Sequence, residues 1–198
     1  MSASGGLPVV VIALVVLNIA AYLVSIDASY GISKRALLNY AFVPAYLFSD
    51  PSRAILTIFT SMFLHANVAH IALNMMALVA VGRYVEASLG HWRFLLIYVI
   101  SGVAAALLFG AVQFGLSDPS THLVGASGAI SGIIGTSVIL GNRGAFGWFA
   151  MQLILGFVSL GGTGFGGIAF MAHVGGFLAG IGMTRLLILR EKASRQLA

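Results

Sequence analysis

The chain is 198 residues long, 60% hydrophobic and only 8% charged, with a mean hydropathy of +1.04, so its composition falls outside the soluble globular range and indicates an integral membrane protein. It contains no cysteine, which excludes disulfides, thiolate chemistry and iron-sulfur ligation. The net charge of +5 arises from ten Lys and Arg against five Asp and Glu, and in a membrane chain that excess bears on topology; no nucleic acid partner is called for.

The apolar residues fall in several runs near spanning length, and in lipid each run must satisfy its backbone internally, which means helices. The first is expected over 7–26; nothing basic precedes Pro8 and the run is longer than a signal-peptide core, so it reads as a retained helix. The stretch from Asp27 to Leu64 is too apolar for a solvated loop, yet Lys34, Arg35, Pro44, Asp50, Pro51 and Arg53 break it among Tyr30, Tyr40, Phe42, Tyr46 and Phe48. Aromatics mixed with charges suit the headgroup boundary, so an interfacial loop is expected there. The apolar run 54–82 is interrupted at His65-Ala66-Asn67, with Asn67 as N-cap of a second helix over about 68–84.

A third helix is expected over 92–114, then a polar loop with Asp118-Pro119, and a short fourth helix over 125–140 that ends at Gly141-Asn142-Arg143-Gly144. A fifth follows over 146–160, and the glycine-rich connection 161–167 is expected to cap the site and move to admit water or substrate. The sixth runs over 168–189 before a charged tail. The fold expected is an all-α polytopic bundle of six spans forming a single membrane domain over 1–198. Six spans put both termini on one side, together with seven cations (Arg83, Arg93, Arg143, Arg185, Arg190, Lys192, Arg195) against three opposite (Lys34, Arg35, Arg53). Positive residues favour the cytoplasm, so both termini are expected there, in the plasma (inner) membrane.

Under that topology helices two, four and six all begin at the outer face. His70 and Asn74, Ser127 and His173 lie near the starts of those helices, within roughly 10 Å of their outer ends at ~1.5 Å per residue. His70 and Asn74 share one helix face. The stretch Gly125-Ala126-Ser127-Gly128-Ala129-Ile130-Ser131-Gly132 surrounds a hydroxyl with residues too small to hide it, and the N–H groups of a helix beginning there would face whatever Ser127 attacks. The same spacing is also what tight helix packing uses, through Gly128 and Gly132 or Ser127 and Ser131. What favours chemistry is the company at matched depth. Ser127 would be the nucleophile and His173 its base, while His70, Asn74 and the Ser127 N–H would receive the oxyanion. No acid stands at that depth, so a Ser/His dyad is expected, with His173 oriented by packing near Gly176.

On these residues the chain resembles the rhomboid intramembrane serine proteases over about 56–186. The resemblance is carried by His65-x4-His70-x3-Asn74, Gly82-x3-Glu86-x3-Gly90, Gly125-Ala126-Ser127-Gly128 and Ala172-His173-x-Gly175-Gly176-x3-Gly180, in this order. It implies Ser127 as nucleophile, His173 as base, His70 and Asn74 as oxyanion ligands, and a transmembrane helix as substrate, admitted from the lipid and cut near the outer face. No cofactor or metal is implied. Three positions depart from the pattern: Leu56-Thr57 stand where many relatives carry Trp-Arg, and Ser131 stands where many carry an aromatic that packs on the histidine, so His173 must be held differently.

Supporting residues have lesser expected roles. Gly125 and Gly128 allow close approach to Ser127, Gly175, Gly176 and Gly180 bring helix six against helix four, and His65 shapes the mouth of the site. Glu86 braces the inner loop with Arg83 or Arg93, while His91 and His122 are ordinary loop residues. Two other classes stay open: a small transporter or channel with a proton or metal path lined by His65, His70 and His173, and a non-catalytic binder of membrane helices.

Overall fold

The computed structural model describes residues 7–147, 149–150 and 166–196, with no side chain described at 166–169 or 195. In chain order the elements are α1 (Val9–Ser25), α2 (Lys34–Tyr40), α3 (Tyr46–Ser49), α4 (Pro51–Thr60), a 3-10 turn (Ser61–Phe63), α5 (Val68–Leu89), α6 (His91–Leu116), α7 (Ser127–Ile139) and α8 (Gly166–Gln196). Residues 143–147 and 149–150 are also helical. Among the described residues there is no strand, only isolated bridges such as Phe42 with Leu123.

Among the described residues three helices are long and apolar enough to cross a membrane, Val68–Leu89, His91–Leu116 and Phe170–Ser194 within α8, while α1 and α7 are apolar but shorter. The fifth expected helix and the connection 161–167 lie outside the described residues, except for the helical residues 146–147 and 149–150 and for Gly166 and Gly167, which open α8.

The expected interfacial loop contains short helices with their own caps. Ser33 Oγ accepts the Ala36 N–H at 3.2 Å to start α2, and Asp50 Oδ1 accepts the Arg53 N–H at 3.1 Å to start α4, with Pro51 just inside the helix. Helix α4 is amphipathic: Ala54, Thr57 and Ile58 face inward, and Ile55, Leu56 and Phe59 face out. The Arg53 guanidinium lies 4.3 Å from the centre of the Tyr46 ring and donates to the Leu38 carbonyl, which fastens α4 to its neighbours.

Asn67 caps α5 as expected, its Oδ1 accepting the His70 N–H at 2.9 Å. The helix runs on to Leu89, five residues past the expected Tyr84. What stops it is Gly90 at φ 84°, a backbone region that L side chains avoid.

Helix α7 is the axis of the bundle, with every residue from Gly128 to Ser137 buried against α5, α6 and α8. A helix so small in side chain lets its neighbours approach at backbone distance. A methyl group on Gly176 would run into the Gly128 carbonyl, and one on Gly180 into the Gly132 carbonyl. Further along the same seam, the Thr136 and Thr184 hydroxyls meet at 2.9 Å and the Gly180 carbonyl accepts from them. Phe149, from the helical residues after α7, stacks on Phe177 of α8 with ring centres 3.9 Å apart.

The brace at the far end of α5 differs from expectation. Glu86 is 2% exposed and accepts the Val10 and Val11 N–H groups at 2.8 and 2.9 Å, so it caps the start of α1; His91 is its side-chain partner. Arg93 pairs instead with Glu191. A carboxylate at a helix N-terminus satisfies unpaired donors and the helix dipole together, which is why backbone amides take the place of an arginine. His91 is therefore no ordinary loop residue: it opens α6 and contacts that carboxylate.

Candidate active site

The loop before α7 is tied down ahead of the serine. Phe42 and Leu123 exchange two backbone hydrogen bonds of 3.1 and 2.8 Å, and the Gly125 N–H donates to the Ser61 carbonyl at 2.9 Å. Gly125 has φ 124°, which no helix accommodates, so α7 begins at Ser127 and not at Gly125 as expected. Ser127 is thus the first helical residue, and its N–H and those of the next residues lack intrahelical acceptors. A crevice of about 10 Å³, room for about one water, borders Ser127, Gly128, Met62 and Ala105.

Across the seam, His173 Nε2 lies 2.7 Å from Ser127 Oγ. The approach depends on the glycine contact one turn along, where Gly176 meets Gly128. A hydroxyl within hydrogen-bond reach of an imidazole has the geometry of a nucleophile and its base.

Helix α5 supplies the third side. His70 Nδ1 accepts the Ala66 N–H at 3.3 Å, which leaves the proton on Nε2, and that edge faces Gly125. A methyl group on Gly125 would stand 2.9 Å from His70 Cε1 and Nε2, so the glycine is what lets the ring sit there. Asn74, one turn further on, is 6% exposed, and its Nδ2 has no hydrogen-bond partner among the described residues. His65 does not shape the mouth of the site: it is fully buried, with its ring edge-on to that of His70 at 5.1 Å.

The carboxylates are occupied elsewhere. Ser29 holds Asp27, and Ser120 holds Asp118, below the usual carboxylate range through hydroxyl and N–H donors in exposed turns. Asp50 caps α4, and Glu86 lies roughly 24 Å along α5 from His70 at ~1.5 Å per residue. Sequence reasoning missed the Ser61 carbonyl and the Ala66 N–H, which set Gly125 and His70; both are backbone groups, which residue type does not reveal.

Residues 52–190 match the Rhomboid domain family. Among relatives, the chain is 40% identical over 89 residues to rhomboid protease AarA of Providencia stuartii, covering 40% of this chain and 32% of that protein. It is 37% identical over 129 residues to rhomboid protease GluP of Bacillus subtilis, covering 61% and 24%, and 29% identical over 185 residues to rhomboid-like protease 3 of Toxoplasma gondii, covering 85% and 65%. The chain spans about a third of the length of AarA and about a quarter of that of GluP. With a domain match across most of its length and apolar helices to carry it through a bilayer, this multi-pass membrane chain belongs to the rhomboid family.

Proposed function

We propose that the chain is an intramembrane serine endopeptidase that hydrolyses a peptide bond in or near a transmembrane segment of a membrane protein. The observation that carries this reading is the 2.7 Å separation of Ser127 Oγ and His173 Nε2 on two packed helices. His173 takes the serine proton as Oγ attacks the carbonyl carbon, then returns it to the leaving amine, and the acyl-enzyme is opened by water through the same base. The oxyanion is received by His70 Nε2–H, Asn74 Nδ2–H and the Ser127 N–H. Support for this comes from the Nδ1 acceptor role of His70 and from the Asn74 amide having no other partner among the described residues. The dyad works without a carboxylate, a cofactor or a metal.

The chain acts as a single membrane domain of six spans, with both termini in the cytoplasm and the site near the outer face of the plasma membrane. Its partners are the bilayer and a substrate helix that enters sideways and unwinds near that face; among the described residues no three metal-ligating side chains come together. The test is purified protein with a panel of single-pass transmembrane substrates beside Ser127→Ala and His173→Ala. Cleavage lost in both, with fluorophosphonate labelling at Ser127 in the parent, is expected; cleavage undiminished in either overturns the dyad.

A further inference from the structure

For His173 to take a proton at Nε2, its other nitrogen must carry one, and a buried N–H left without an acceptor is costly. His173 Nδ1 is buried and has no hydrogen-bond partner among the described residues. Buried hydroxyls without a partner among the described residues stand on Tyr98, Ser101 and Ser131, and of these only that of Ser131 is on α7, the helix of the nucleophile. Ser131 is 1% exposed, and its Oγ is likewise buried and without a partner among the described residues.

Its position on α7 fits. At about 100° per residue, Ser131 lies roughly 40° round the helix from Ser127 and 40° short of Gly135. Both of those residues meet α8, Ser127 through His173 and Gly135 at the Phe177 carbonyl, so Ser131 occupies the stripe between the imidazole and the next turn of α8. We propose that the Ser131 hydroxyl is the acceptor that holds the Nδ1–H of His173, directly after rotation about χ1 or across one water, and so fixes the tautomer and the angle of the ring. Ser131 is a positioning residue in this scheme, and its catalytic meaning rests on the protease reading.

The experiment compares Ser131→Ala, Ser131→Val and Ser131→Thr in the full chain in detergent micelles. Valine and threonine have the same shape, so any packing cost is common to both and only the hydroxyl separates them. Two readouts are taken: the rate of fluorophosphonate labelling at Ser127, and the 15N-imidazole spectrum of His173, assigned by its loss in His173→Gln. The alanine and valine variants are expected to label about three- to tenfold more slowly, the rate equivalent of one neutral hydrogen bond, and to show mixed tautomers. Threonine should restore most of the rate and the single Nδ1–H form. Equal rates and spectra for threonine and valine, or an alanine variant like the parent, overturn the proposal. If the parent neither labels nor cleaves, the protease reading fails, and the threonine–valine difference in tautomer still decides the role of Ser131.

Discussion

Gly125→Ala tests how the loop and α5 cooperate at the site. The backbone there has φ 124°, and an L side chain in such a region costs about 1–2 kcal/mol. The added methyl would also stand 2.9 Å from the His70 ring, against an ordinary contact of 3.4–4 Å, so the imidazole must retreat by at least about half an ångström. It cannot retreat freely, because the buried ring of His65 stands 5.1 Å away and the Ala66 N–H holds Nδ1. A donor misplaced by up to 1 Å costs on the order of a hundredfold, so a fall in turnover of about ten- to a hundredfold is expected. The decisive assay is a double-mutant cycle with His70→Ala, read by cleavage of a transmembrane substrate and by thermal unfolding. With the ring gone, adding alanine at 125 should cost little further activity. An equal loss in both backgrounds would refute the steric route through His70.

Replacing Glu86 with Gln leaves one α1 amide facing an NH2 group in place of an oxygen, at a cost of about 1–3 kcal/mol, measurable as a lowered midpoint of unfolding with labelling at Ser127 retained below it. Thr184→Val removes the hydroxyl shared with Thr136 and Gly180 and should cost about 1 kcal/mol in the same measurement, with a smaller loss if Thr136→Val is already present. Asn74→Ala should lower turnover by about a hundredfold while leaving the Ser127–His173 contact and unfolding midpoint near those of the parent; a normal turnover would remove Asn74 from the oxyanion site.

The parts of the fold that were legible in the sequence are those written in residue type. Asn67 announced a helix start because its short amide can cap, and Ser127 and His173, which the fold sets 2.7 Å apart, stood out as polar groups at one depth of an apolar chain. Helix ends were less legible: α5 continued past Arg83 and Tyr84 because exposed polar residues do not stop a helix, whereas a positive φ at Gly90 does. The partner of Glu86 was hidden for another reason. It is a pair of valine amides 76 and 75 residues away, and no side chain advertises them. The same holds for His65, whose type suits a rim as well as a core and whose burial emerges only when α5 and the preceding turn are assembled.

The first helix is moored at both ends. Near its beginning the Val10 and Val11 amides are clasped by Glu86, and near its finish the Tyr22 hydroxyl donates to the Tyr30 carbonyl at 2.6 Å while the Ser33 N–H donates to the Ser25 carbonyl at 2.8 Å. A post fixed top and bottom cannot serve as a door. Under the proposed sideways entry of a substrate helix, the opening is expected on a different flank of the bundle, with α1 as the stationary jamb.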